Sequence, residues 1–293
     1  MVAPIVLAAA PDCFLHSPPV TYMTVGFNVV IGGKRFEPRL FSFGSSNPPI
    51  DAVRRGQPLS DGHPSKTSFV EWASWSDDFD GADAVARAFN FVTANQWQFG
   101  DVTRSENVEY ANLNIVMADP GKYRLRLRRE PVQMFANLGM EVDILLMPKD
   151  GSAPKVLNPS GPTEPKEGYT ITIGGKEFAP NPALLEARPS PDVVVRKGQD
   201  FQGTPSKHSF VQWSYWPDEA DYSEGWGFID VVNDTLFMVS LDQAQYGPVA
   251  HEPGIEFADL NIFVTTRDSV TISAAEFRML AQLGFAVTIH HQY

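Results

Sequence analysis

Histidine residues could carry acid–base or metal chemistry in this chain, but their spacing supports neither. His63 and His208 each lie near a Pro-Ser-Lys block, yet at different distances from it, so they are not an equivalent pair. His290 and His291 are adjacent, and on a strand their rings would point to opposite faces. The sequence has no HExxH motif and a single cysteine, Cys13, so no zinc-ligand pattern is present. We predict a protein without enzymatic activity, metal or cofactor.

An acidic and aromatic stretch in the second half of the chain indicates a binding role. Ten acidic residues and no lysine or arginine lie between Lys207 and Arg267. A surface of one sign accelerates the encounter with a partner of the opposite sign, and aromatic anchors among charges are typical of binding hot spots. The alternative is a face that only solubilises the chain. The residues that we predict to bind a basic partner are Asp218, Glu219, Asp221, Tyr222, Glu224, Trp226, Asp230 and Asp234.

A basic segment in the first half, residues 122–129, has the alternation of a β-strand. One predicted face holds Lys122, Arg124, Arg126 and Arg128, and the other holds Tyr123, Leu125 and Leu127. Three interpretations stay open for this segment. Its like charges could protect a sheet edge from pairing, it could dock against the acidic second half, or it could grip an acidic patch of a partner.

The elements that position these residues recur in an internal repeat with a period of 141 to 147 residues. Five blocks recur in the same order. Four of them pair residues 29–38 with the segment around Ile173, residues 64–75 with 205–216, residues 110–115 with 257–262, and residues 134–144 with 279–289. The fifth is a Gly-Gln block that ends at Gln57 and Gln199. A period of this length suits a whole domain rather than a solenoid unit.

The repeat predicts two tandem domains. Residues 1–19 form an N-terminal arm, 20–148 the first repeat domain, 149–167 a linker and 168–293 the second repeat domain. The linker composition, rich in proline, glycine and charge, is typical of an extended connector. Of the net charge of -12, the second domain holds 7 basic against 16 acidic residues, whereas the first is nearly balanced.

Each repeat has the pattern of an α+β domain. Period-2 alternation from Met23 to Ile31 predicts a first strand, and residues 68–75 and 209–216 predict a strand that places Trp72 and Trp213 in the core. Apolar spacing predicts two helices per repeat, the second of which ends at Gly139 or Gly284. In the second repeat, Ser273 followed by Glu276 three residues later predicts a capping box at the start of that helix. Because strands outnumber helices without strict alternation, we predict a mostly antiparallel sheet with both helices packed largely on one face.

Composition narrows the possible partners and the compartment. A net charge of -12 argues against binding to nucleic acid or to anionic lipid, and no apolar run reaches the length of a membrane helix. The lone Cys13 fits a reducing compartment, and the apolar start of the chain lacks the basic residues of a secretory signal. We expect a cytoplasmic protein, with export as the alternative.

The C-terminal signature of the second repeat resembles a known family. It comprises Ile272, Ser273 and Ala274, the Leu280-Ala281-x-Leu283-Gly284 segment, Val287, Ile289 and Tyr293. With the GGK-x-F-x-P and tryptophan blocks, it is similar to a bacterial family of domains of unknown function numbered four-two-seven-nine, here present twice. The first repeat departs from the pattern at Pro131, Val132 and Met147. The resemblance implies an α+β fold and a likeness to immunity proteins, and it transfers no catalytic residue.

Together these features predict a cytoplasmic immunity protein that occludes a basic toxin domain through its acidic, aromatic-rich surface. Two alternatives remain. One is a hydrolase with a site between the two repeats that uses His208 and nearby acids. The other is a small-ligand-binding module with a pocket lined by the paired tryptophans.

Overall fold

A computed structural model describes residues 25–38, 48–59, 61–76, 81–118, 124–147, 167–181, 189–217, 230–264 and 270–291. The first half of the chain, residues 25–147, contains strands β1 (Val25–Gly33), β2 (Asp51–Val53), β3 (Ser68–Ser76), β4 (Tyr110–Ala118), β5 (Arg124–Leu127) and β6 (Glu141–Met147). Its helices are α1 (Gly81–Ala94), α2 (Gln96–Thr103) and α3 (Arg129–Leu138).

The second half, residues 167–291, repeats this element order with two additional short strands. Its strands are β7 (Gly168–Gly175), β8 (Val193–Val195), β9 (Asp200–Phe201), β10 (Thr204–Pro205), β11 (Ser209–Tyr215), β12 (Phe257–Val264), β13 (Val270–Ile272) and β14 (Ala286–His291). Its helices are α4 (Val231–Leu241), α5 (Gln243–Ala250) and α6 (Ala274–Leu283). None of the described helices has the length and apolar character that crossing a membrane requires.

Two six-stranded sheets form the framework. The first sheet has the strand order β13-β6-β4-β1-β3-β2, and the second has the order β5-β14-β12-β7-β11-β8. Neighbouring strands are antiparallel except for the parallel pairs β4–β6 and β12–β14. Strands at equivalent positions of the sequence repeat occupy equivalent places in the two sheets. The α+β class and the predominantly antiparallel sheets predicted from the sequence are confirmed.

Each sheet ends in a strand from the other half of the chain. Strand β5 of the first half pairs with β14, so that Leu127 lies opposite Val287. Strand β13 of the second half pairs with β6 in the same way, with Ile272 opposite Val142. The exchange is reciprocal, and the two halves therefore complete one another. The predicted boundaries at residues 148 and 168 divide the sequence but not the sheets.

Alternation within the strands separates a core face from an open face. In β1, Val25, Phe27, Val29 and Ile31 share one buried cluster with residues of the helices. The residues between them, such as Asn28, face away from the helices on what we call the open face of the sheet. A single cluster runs through both halves, and Phe135 of α3 contacts Phe277 of α6 with ring centroids 5.1 Å apart. Continuous burial of this kind is the main stabilising contribution to the fold.

The helix ends follow from local sequence. Ser273 caps α6: its Oγ accepts a hydrogen bond from the Glu276 backbone N–H at 3.3 Å, and the Glu276 carboxylate accepts one from the Ser273 N–H at 2.7 Å. This is the capping box that the sequence predicts. Gly139 and Gly284 end α3 and α6 with φ of 61° and 68°, a left-handed conformation that favours glycine.

The prediction of two helices per repeat was wrong, because the described part of each half has three. Helices α2 and α5 were missed since they are short and lack a clear apolar period. Gly100 lies inside α2 and Pro248 inside α5, and both residue types lower helix propensity. Each of these helices instead inserts one large aromatic residue into the core, Phe99 and Tyr246 respectively.

Candidate binding surfaces

The predicted acidic and aromatic residues fall mostly outside the described residues. Asp218, Glu219, Asp221, Tyr222, Glu224 and Trp226 belong to that group. The remaining two, Asp230 and Asp234, lie at the start of α4. Asp230 caps the helix by accepting a hydrogen bond from the Asn233 backbone N–H at 3.1 Å, and the Asp234 carboxylate accepts one from the Asp230 N–H at 3.1 Å. Both acids therefore stabilise the helix start, where negative charge is favourable, and their role in binding stays a prediction.

Helix α4 presents an apolar strip to solvent. Phe237 and Leu241 are 60% and 61% exposed, and their i, i+4 spacing places them side by side. The opposite side of the helix is buried, with Leu236 and Val239 in the core. Carboxylates of Asp230 and Asp242 flank the two ends of the helix. We call Phe237 and Leu241, with these flanking acids, the α4 strip.

The α4 strip has no counterpart in the first half. When the repeats are aligned so that Val92 matches Val239, the positions of Phe237 and Leu241 are occupied by Asn90 and Ala94. Both of those residues are exposed on α1. Exposed large apolar residues at this position are therefore specific to the second half, and they are not a consequence of the shared fold.

The open face of the second sheet holds a row of rings that runs across the strands. Trp216 follows β11 and is 40% exposed, and its ring lies 5.1 Å from that of Phe263 on β12. Gly168 lies between them on β7, and a Cβ there would come within 2.7 Å of the indole. Glycine therefore permits the indole to reach across β7. Next in the row, the imidazole of His290 on β14 stacks on Phe263 at 4.6 Å with an interplanar angle of 9°.

The row ends in arginine side chains from the first half of the chain. Arg124 lies opposite His290 and Arg126 opposite Thr288, and both arginines are exposed. The alternating Leu125 and Leu127 are buried, which confirms the predicted faces of the basic strand for these four residues. Lys122 and Tyr123 lie outside the described residues. Of the three interpretations of the segment, pairing with the second half is what the structure shows, and the strand also forms a sheet edge.

The Asp259 carboxylate is close enough to these arginines to interact with them electrostatically. Burial raises the pKa of Asp259, and the guanidinium groups of Arg126, Arg129 and Arg124 act in the opposite direction. Burial lowers the pKa of His290, and the nearby charge of Arg124 lowers it further. His290 therefore favours its neutral form, and its Nε2 donates a hydrogen bond to the Asn261 side-chain oxygen at 3.3 Å.

The open face of the first sheet has a different chemistry. Asn114 donates a hydrogen bond to Asn28 at 2.8 Å, and Asn28 donates one to the Glu71 carboxylate at 2.7 Å. At the edge of the same sheet, Thr271 of β13 donates a hydrogen bond to the Asp143 carboxylate of β6 at 2.6 Å. Burial raises the pKa of Asp143, and this hydrogen bond partly offsets the effect. These polar groups satisfy one another, as buried polar groups must.

The first sheet also lacks the ring row. Its positions equivalent to Phe263 and His290 are Val116 and Leu145, and only the tryptophan recurs, as Trp75 above Gly26. The row in the second sheet is therefore a departure from the common pattern of the repeat, placed on its open face.

The residues that the alternative functions would use, His208 for a hydrolase and the paired tryptophans for a ligand pocket, do not form a common site among the described residues. His208 Nε2 is 3.6 Å from the Glu256 carboxylate, and its ring packs edge-on against Phe257, all within the second half. Trp72 and Trp213 are buried, as predicted, and contact Phe99 and Tyr246 rather than lining a pocket. Within the described ranges, no three His, Cys, Asp or Glu residues are grouped as a metal site would need.

Searches against protein-family models, curated proteins and solved structures each gave no match to the chain. The resemblance to the family numbered four-two-seven-nine therefore stays a prediction. Sequence reasoning missed Phe237, Leu241, Phe263 and the partnership of His290 with Arg124. A comparison of the two repeats, position by position, could have found the first three, because each replaces a smaller or polar residue of the first half.

Proposed function

We propose that the chain is a non-enzymatic binding protein that occludes a basic partner, in its most concrete form a bacterial immunity protein that neutralises a toxin domain. The observation that supports this best is the α4 strip. Two large apolar side chains, each about 60% exposed, stand between carboxylates within 59 residues that contain no lysine or arginine. Exposed apolar pairs flanked by charge are typical of protein contact sites.

The strip and the acidic stretch would have separate tasks in such a complex. Apolar anchors that become desolvated determine how slowly a complex dissociates, whereas charges at the rim mainly determine how fast it forms. Phe237 and Leu241 would enter a pocket of the partner. The acids from Asp218 to Asp234 would attract its basic surface, and neutralisation requires both fast and lasting association.

The test begins with a partner search among the genes that flank the one encoding this chain. Each neighbouring product is expressed alone to find those that stop growth, and then together with this chain. Rescue of growth identifies the partner, whose binding is then measured by surface plasmon resonance. If this chain relieves the toxicity of none of the neighbouring products, the immunity form of the proposal is wrong.

Once a partner is found, two variants distinguish the contribution of the α4 strip to dissociation from that of the acids to association. The double change Phe237→Ala with Leu241→Ala should raise the Kd by about 30-fold or more, mainly through faster dissociation. Charge reversal at Asp218, Glu219, Asp221 and Glu224 should instead slow association and flatten its dependence on salt. The matched control is Asn90→Ala in α1, at the position equivalent to Phe237. An unchanged dissociation rate in the double variant would remove the α4 strip from the interface.

A further inference from the structure

The ring row on the second sheet is built from residues that have no structural need to be aromatic at this place. The equivalent positions of the first sheet hold Val116 and Leu145, and that sheet has the same strand order. The two rings that replace them, Phe263 and His290, stack face to face with centroids 4.6 Å apart, and the Trp216 indole is tilted by 45° against Phe263, so the three rings form one cluster. Since this ring cluster lies on the open face, away from the helices, it adds nothing to the helix-facing core.

The strand exchange places positive charge directly beside this ring cluster. Arg124 lies opposite His290 in the sheet register, and adjacent strands are about 4.8 Å apart. Arg126 is the next residue on the same face, and both are exposed. Their sequence equivalents on β13 and just before it are Thr271 and Ser269, which are uncharged. The first sheet therefore lacks both the Phe–His pair and the two arginines.

Three guanidinium groups act on one described carboxylate of this face. The charges of Arg126, Arg129 and Arg124 each oppose the effect of burial, which raises the pKa of Asp259. A guanidinium is a planar donor that binds carboxylate and phosphate groups with two parallel hydrogen bonds. Neutral polar groups line the same face, where Asn261 donates a hydrogen bond to Thr170 at 3.4 Å.

We propose that the open face of the second sheet binds a small planar ring that bears a carboxylate or phosphate group. The ring packs against the cluster of Trp216, Phe263 and His290. Its anionic group reaches Arg124 and Arg126 at the neighbouring edge strand. This site is separate from the α4 strip, which lies on the helical side of the same half, and it does not depend on the proposed function.

Isothermal titration calorimetry of the full chain tests this with probes that separate ring from charge. Adenosine supplies a ring alone, inorganic phosphate an anion alone, and adenosine monophosphate and indole-3-carboxylate supply both. We expect at least one of the two charged rings to bind about ten-fold or more tightly than adenosine or phosphate. The better of the two identifies the anion as phosphate or carboxylate. Equal affinities for charged and neutral rings, or no binding of either charged ring, would overturn the proposal.

Matched variants assign the binding to this face. Trp216→Ala and Phe263→Leu should each weaken binding of the better probe by about ten-fold, whereas Trp75→Ala on the first sheet should leave it unchanged. Arg124→Gln should remove the preference for the charged ring, and Arg55→Gln, an exposed control, should keep it. Equal effects of Trp75→Ala and Trp216→Ala would overturn the assignment. Near-ultraviolet circular dichroism verifies that each variant is folded.

The same assay distinguishes a small ligand from two kinds of macromolecule that could bind this face instead. A series of single-stranded oligonucleotides whose affinity rises with length would show a nucleic-acid surface in place of a small-molecule site. An acidic peptide with one aromatic residue that binds more tightly than the charged rings would show a peptide surface. Either result would overturn the proposal of a small ligand.

Discussion

At the scale of single residues, His290 connects the two halves of the chain and responds to pH. Its imidazole stacks on Phe263 of β12 and lies beside the positively charged Arg124 of β5. Its Nε2 donates a hydrogen bond to the Asn261 side-chain oxygen. Burial and Arg124 both lower its pKa below the ordinary value of 6.5. The folded protein therefore binds a proton at this position less readily than the unfolded chain does.

The lowered pKa of His290 makes the folded protein less stable as the pH falls. Above the unfolded value of 6.5 the imidazole is neutral in both states and contributes no pH dependence. As the pH falls through 6.5 toward the lowered folded pKa, the unfolded chain takes up the proton first, and the free energy of unfolding decreases. We expect His290→Gln to reduce the loss of stability between about pH 7.5 and about pH 5, measured by urea unfolding.

The comparison variant for this measurement is His63→Gln, because His63 is exposed in a loop of the first half. It should retain the wild-type decrease in stability over the same range. If His290→Gln and the wild type lose the same free energy of unfolding, His290 does not titrate as its surroundings require. The stability curves of both variants at about pH 7.5 show whether the substitutions perturb folding for other reasons.

At the scale of elements, the exchanged strands make each sheet dependent on the other half. Leu127 of β5 is 1% exposed and lies opposite Val287 of β14. We expect Leu127→Ala to reduce the free energy of unfolding by about 2–5 kcal/mol, because it leaves a cavity in the core. The change lies in the first half, yet hydrogen exchange should accelerate mainly in β14 of the second half.

The reciprocal variant provides the control for this prediction. Ile272 of β13 is also 1% exposed, and it lies opposite Val142 of β6. Ile272→Ala should therefore accelerate exchange in β6 of the first half. If each substitution affected only strands of its own half, the pairing across the halves would be contradicted.

The limits of sequence reasoning are also clearest at this scale. Alternation in the basic segment was enough to predict that Leu125 and Leu127 share one face of the strand and that Arg124 and Arg126 share the other. It could not identify β14 as the neighbouring strand, because side-chain period determines which face is buried and not which strand is adjacent. The capping box at Ser273 was predictable for the opposite reason, since all its partners lie within one helical turn.

The same distinction explains which parts of the candidate sites were found. Trp72 and Trp213 were predicted in the core because each recurs in register within a strand pattern. The contact of His290 with Arg124 joins residues from different halves, and no local pattern in either segment indicates it. Phe237 and Leu241 do share a helix face with regular spacing. Their exposure, however, depends on how α4 is oriented against the sheet, which only packing determines.

At the scale of the whole molecule, the halves are joined by three kinds of contact. Strands β5 and β13 each complete the sheet of the other half, and Phe135 packs against Phe277 where α3 meets α6. Buried residues of both halves belong to one cluster. The chain therefore has the arrangement of a strand-exchanged dimer within one polypeptide, and its stability resides in these contacts as much as in each half.

This arrangement predicts that the covalent connection is dispensable once the protein has folded. The test is to insert a protease recognition sequence between residues 155 and 160 and to treat the folded chain with the protease. The two fragments should remain together in size-exclusion chromatography, because separation would expose the leucines of β5, the apolar side of β13 and the α3–α6 contact. Leu127→Ala and Ile272→Ala combined should make the cut fragments separate at lower urea concentrations than the cut parent. Fragments that separate without denaturant would show instead that the exchanged strands contribute little and that the halves are independent domains.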